Sequence, residues 1–95
     1  MAEHKMITTE HVADLVLWAG QAQLCWDPYA GRMRLVPSHL HHDQHYMDEV
    51  CTMAEVSYIA TKYGTMNEGL DCGATAYWLN RTYGLIEPET GLPWE

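Results

Sequence analysis

The sequence predicts an α+β domain that is mostly helical: a helix, a β-hairpin, a long central helix, a short helix and an extended C-terminal tail. Three observations predict it. Ser38 to Tyr63 contains neither Pro nor Gly and ends at Gly64. Two short arms rich in apolar residues flank Pro28-Tyr29-Ala30-Gly31. Hydrophobic residues make up 47% of 95 positions, a content that suits one folded domain over residues 1–95, with the tail at 85–95.

The first helix opens after Ile7-Thr8. Thr8 can accept a backbone N–H as N-cap, Ile7 can pack onto Val12, and Glu10 suits the first turn. Val12, Leu15, Val16 and Ala19 form its buried stripe with Trp18 beside it, and either Gly20 stops it or Gln21-Ala22-Gln23 extend it by a turn.

The hairpin follows. Leu24-Cys25-Trp26-Asp27 and Arg32-Met33-Arg34-Leu35-Val36 read as its arms, with Asp, Pro and Gly in the positions a type I turn favours. Alternation in the second arm puts Arg32 and Arg34 on one face and Met33 and Leu35 on the other. A lone two-stranded ribbon is marginal in water. It must lean on helices or pair with another chain, and its outer edges are open to strand addition.

The stretch from Ser38 to Gly64 reads as one rod of about 25 residues and roughly 38 Å. Ser38 can cap it and Gly64 can close it. On a helical wheel Leu40, Met47, Val50, Cys51, Ala54 and Tyr58 share a stripe, with His41, His45, Asp48, Glu49, Thr52 and Glu55 roughly opposite. Val56, Ile59 and Tyr63 then fill the angles that His45 and Asp48 hold earlier, so the second half should be covered from two sides. Asp71 caps a shorter helix, Cys72 to Tyr83, that Gly84 ends. The tail LIEPETGLPWE has two prolines and three glutamates and should be extended, with Leu85, Ile86, Leu92 and Trp94 as anchors.

Net charge is −8, with Lys5, Arg32, Arg34, Lys62 and Arg81 as the only basic residues besides histidine. That argues against direct contact with nucleic acid or an anionic membrane, since both need clustered Lys and Arg. It permits docking on a basic surface of a larger protein or ribonucleoprotein. The polar start MAEHKMITTE shows no apolar signal core, and no run is long enough to span a bilayer. Three cysteines without paired spacing suit a reducing compartment, so a cytoplasmic location is expected. Four Trp and six Tyr but no Phe favour a partner surface or a homo-oligomer, because both side chains have an apolar body and a polar handle.

Three groups of residues can carry chemistry. His41 and His45 are i,i+4 neighbours with Glu49 one turn on, a spacing that can hold zinc if a further ligand arrives from elsewhere. The plain alternative is a solvated polar helix start, and no other cofactor is expected. Cys72 stands at the first turn of a helix, where the dipole favours thiolate. Asp71-Cys72-Gly73-Ala74, with Tyr77, Gly84 and Leu92-Pro93, resembles over one short segment the cysteine motif of NlpC-type cell-wall peptidases. The sequence departs from that family's Asp-Cys-Ser-Gly order, and no histidine follows Cys72. A base would have to come from the histidines at 39–45, and the default reading of Cys72 is a buried cap-adjacent thiol. Asp48, Glu49 and Glu55 form an acidic row that suits either phosphate mimicry or ordinary solvation.

The leading expectation is therefore a non-enzymatic regulator or inhibitor. It would bind through Trp26 and Tyr29 at the hairpin, through Asp48, Glu49 and Glu55, or through Trp94. In style it is similar to the small acidic phage and mobile-element proteins that block host defence or nucleic-acid-binding complexes. A small metal- or cysteine-dependent enzyme and a structural assembly protein are the alternatives.

Overall fold

The computed structural model describes residues 5–40, 47–66 and 69–93. Among them the chain runs α1 (Thr9–Leu17), β1 (Ala22–Asp27), β2 (Arg32–Pro37), β3 (Asp48–Thr52), α2 (Met53–Tyr63) and α3 (Cys72–Thr82). The sheet is antiparallel, with order β2-β1-β3.

The α+β class holds, but the expectation of a mostly helical fold is corrected: 42% of the described residues are helical and 26% extended. The source of the error is the central rod. Asp48 to Thr52 is a strand, and helix begins only at Met53. Val50 and Thr52 are β-branched, which favours a pleated conformation. The decisive term is tertiary: β1 has an unpaired edge after forming the hairpin, and this segment fills it, Leu24 opposite Cys51 and Gln23 opposite Thr52. The ribbon's missing support thus comes from its own chain. A bulge at Val50 shifts the register, so Cys25 faces Glu49.

The other elements form where their local signals place them. Thr8 Oγ1 accepts the His11 N–H at 3.2 Å while His11 Nδ1 accepts the Thr8 N–H at 3.0 Å, a reciprocal cap. At the hairpin turn the Asp27 carboxylate accepts the N–H groups of Tyr29 and Ala30 at 3.0 and 3.1 Å. Gly31 closes the turn at φ +67°, a value that disfavours any residue with a Cβ. Asp71 caps α3 by accepting the Ala74 N–H at 3.0 Å.

Register decides which sheet face is covered. Leu24, Met33 and Cys51 meet Ile7, Val12, Leu15, Val56, Ile59, Ala76 and Leu79 in the main core. On the opposite face Cys25, Val36 and Met47 form a smaller buried cluster. Helix α1 packs on β1 and β2, and α3 packs on α1 and α2. Asn80, buried in α3, ties down the segment before α1: it accepts the Ile7 N–H and donates to the Ile7 carbonyl, both at 2.7 Å. Successive contacts of Glu55 with Tyr83, Tyr63 with Trp78, and Thr65 with Thr75 show α2 and α3 running antiparallel. Among the described residues 85–93 the tail is not helical, but the expected extended run is corrected: it doubles back through a turn that brings Ile86 opposite Pro93.

Candidate functional site

The α2–α3 pair exposes one aromatic ridge. Tyr58, Lys62 and Tyr63 come from α2, and Tyr77, Trp78 and Arg81 from α3. Tyr63 and Trp78 stack face to face, centroids 4.1 Å apart and planes within 1°. Tyr77 meets Trp78 edge-on at 5.2 Å. Both cations sit over rings: Lys62 Nζ is 5.5 Å from the Tyr63 centroid and 5.9 Å from that of Tyr58, and the Arg81 guanidinium is 5.6 Å from that of Trp78. These separations fall within cation–π range. Arg81 Nη1 also donates to the Tyr77 hydroxyl at 3.2 Å.

Trp78 is half-buried against the main core, which fixes the ridge to the body. Its neighbours remain accessible, Tyr58 at 64% and Tyr77 at 38%. Neither Val56 to Met66 nor Cys72 to Ile86 contains an Asp or Glu, although the chain has thirteen. The ridge is thus a cationic, aromatic strip on an acidic protein. Sequence reasoning missed it by treating α2 as the tail of a longer rod. The available signal was a repeated pair: Tyr58 with Lys62 and Tyr77 with Arg81, each an aromatic followed by a cation one helical turn later.

The residues singled out from sequence do not converge. Trp26 is half-buried and packs against the main core, while Tyr29 stands 86% exposed at the hairpin turn. Asp48 and Glu49 are exposed on β3, an edge strand among the described residues. Glu55 is half-buried and engaged: it accepts from the Tyr83 hydroxyl through Oε2 and from the Thr52 hydroxyl at 3.3 Å through Oε1. It therefore does not extend the acidic surface of Asp48 and Glu49. Trp94, His41 and His45 lie outside the described residues; Glu49 is the described member of the metal candidate. Among the described residues no group of three or more His, Cys, Asp or Glu is arranged to hold a metal ion.

The thiols occupy distinct environments. Cys51 is fully buried, and burial, with Glu55 and Glu49 nearby, pushes its pKa up to about 12. Cys25, buried on the other sheet face, is pushed up to about 11 by burial and then by Glu49 and Asp48. Both are neutral thiols near pH 7, unsuited to nucleophilic attack. Burial and the Glu55 carboxylate also raise the Tyr83 pKa, so its phenol stays protonated and donates. The trio Cys51, Tyr83 and Glu55 is thereby a structural pin between β3, α2 and the end of α3. Cys72 is half-buried at the start of α3, its Sγ 3.9 Å from the Leu70 carbonyl oxygen. The one described histidine of the 39–45 group, His39, is exposed and lines a shallow cavity of about 530 Å³ with Leu17, Trp18 and Gln21.

No helix among the described residues is long and apolar enough to cross a membrane. A scan against protein-family models matched no family, and searches of curated proteins and of solved structures found no match.

Proposed function

We propose that the protein is a non-enzymatic binding module that regulates or inhibits a larger protein through surface contact. The observation that carries this reading is the α2–α3 ridge. Tyr, Trp and Arg dominate the energetic centres of protein interfaces, because they bury large area and keep a directed polar group. Here they stand together, fixed by stacking and by core packing, so little side-chain freedom remains to be lost on binding. The exposed carboxylates Asp48 and Glu49 give β3 a separate contact for a basic part of the same partner.

The test is capture of a partner from an extract of the cells that make the protein, comparing the wild type with Tyr58→Ala/Arg81→Ala. Both side chains are exposed, so thermal unfolding of the double variant should match the wild type. Loss of the captured partner is the expected result. Capture undiminished by the double variant would remove the ridge from the interface and this reading with it.

A further inference from the structure

Beside the ridge lies a structured acidic turn. The Glu87 N–H donates to the Leu92 carbonyl and the Gly91 N–H to the Glu87 carbonyl, both at 2.8 Å. The Thr90 hydroxyl donates to Glu87 Oε2 at 3.3 Å and accepts the Leu92 N–H at 3.2 Å. The bridge from Ile86 to Pro93 closes the base, and Ile86 is buried. These bonds hold residues 87–92 in one shape, with Glu89 exposed and Leu92 63% exposed at its surface. A Cβ placed on Gly91 would lie 3.5 Å from Tyr77 Cε1, so the turn runs directly against the ridge. No Lys or Arg follows Arg81 in the chain. Tyr77 therefore stands at a boundary, with Trp78 and Arg81 on one side and, on the other, the turn that carries Glu87, Glu89 and Leu92.

A two-fold interface requires one patch that is complementary to itself: if a feature of one copy meets a second feature of its partner, the reverse contact forms as well. Two adjacent halves of opposite charge, each with exposed apolar area, meet that requirement when rotated about their boundary. Resting on the reading of the ridge as a docking surface, we propose that its occupant while the larger partner is absent is the Glu87–Leu92 turn of a second copy. The two copies pair about an axis passing near Tyr77. Lys62 and Arg81 of each copy then face Glu87 and Glu89 of the other, and Leu92 lies on the partner's aromatic rings. Repulsion between two chains of net charge −8 opposes the pairing at long range. At physiological salt, however, exposed charges beyond about 8 Å are largely screened, and the contacts across the axis are closer than that.

Sedimentation equilibrium on the full chain and two charge-reversed variants tests the pairing. Lys62→Glu/Arg81→Glu makes the ridge acidic; Glu87→Lys/Glu89→Lys makes the turn basic. The wild type should dimerise, and each variant alone should do so at least about tenfold more weakly, a change of one decade in dissociation constant. A one-to-one mixture of the variants should recover the dimer, because both of its contacts again join opposite charges. That recovery also shows that both variants are folded. A wild type still monomeric at about 1 mM, the weak end of specific affinity, overturns the pairing. So do variants that dimerise like the wild type, or a mixture that stays monomeric. A monomeric wild type leaves the docking reading standing, since that reading falls only when partner capture survives Tyr58→Ala/Arg81→Ala.

Discussion

The β1–β2 hairpin and the β3–α2 junction deliver strands to the same sheet under different rules. In the hairpin, every signal is local: Asp27 accepts two N–H groups from its own turn, Gly31 takes the left-handed position, and alternation sorts Met33 from Arg32 and Arg34. At the junction, five residues become a strand because β1 offers an edge, and Met53 starts a helix straight after Thr52. Its stabilising contacts come from far along the chain, Leu24 opposite Cys51 and Tyr83 against Glu55. Local structure can be read from neighbouring residues; an edge on which Leu24 meets a residue 27 positions away cannot.

The largest expected effect lies where the two regions meet. Leu24 is fully buried and stands between Leu35 of β2 and Cys51 of β3. Leu24→Ala should cost about 2–5 kcal/mol, lost transfer energy plus the cavity left behind, measured by urea unfolding. A loss below about 1 kcal/mol would lie outside that range and would show that hairpin and junction repack independently of their shared residue.

Next comes the junction's own pin. Glu55→Ala leaves the half-buried Tyr83 hydroxyl without its acceptor and frees the Thr52 hydroxyl, an expected cost of about 1–3 kcal/mol. Combined with Tyr83→Phe in a double-mutant cycle, the pair should couple by about 1 kcal/mol, as contacting residues do. Coupling indistinguishable from zero would mean that β3 pairing alone sets the position of α2.

This contrast also accounts for what was legible beforehand. The caps at Thr8 and Asp71, the hairpin turn, the faces of β2 and the stop at Gly64 all depend on neighbours within a few positions, and the structure has them where the sequence indicated. The break in the Ser38–Gly64 rod had one local sign: Thr52-x-x-Glu55 before Val56, Ile59 and Ala60, the pattern of a capping box. An uninterrupted helical wheel outweighed it, because residues 48–52 fit 100° per residue, whereas at 180° they sort only once the bulge at Val50 moves Glu49 off the face of Cys51. The ridge was hidden for the same reason. Its members lie on two helices, and only antiparallel packing of α2 on α3 brings Tyr63 over Trp78. Acidic residues were easy to count, but the burial of Glu55 by Tyr83 depends on a contact 28 positions away.

A smaller effect sharpens the comparison at the two threonine-led helix starts. Thr8 bonds the backbone of α1, so Thr8→Ala should cost about 1 kcal/mol, the usual value of a lost N-cap. Thr52 makes no such bond and spends its hydroxyl on Glu55. Thr52→Ala should therefore cost less than Thr8→Ala, a ranking that thermal unfolding of the two variants can read directly. Equal costs would show that Thr52 caps α2 in solution.

The smallest effect belongs to the hairpin turn and is best seen against pH. The N–H of Ala30, then Arg34 and the N–H of Tyr29, hold the Asp27 carboxyl below its ordinary 3.8, although its burial works the other way. The unfolded chain thus binds this proton more readily than the folded one. The resulting stability is complete above the unfolded value and is lost as pH falls through the folded one. In Asp27→Asn the amide oxygen can still accept both turn N–H groups, but as a neutral acceptor, so the loss near pH 7 is the charge-assisted part of those two bonds together with the pairing with Arg34 at 3.3 Å, whose guanidinium side is 44% exposed. Below about pH 4, the ordinary carboxylate range, the wild type should lose its small advantage and the two unfolding temperatures should converge. If their difference instead stays constant down to pH 2, this carboxylate does not titrate with folding, and the hairpin owes its turn to Pro28 and Gly31 alone.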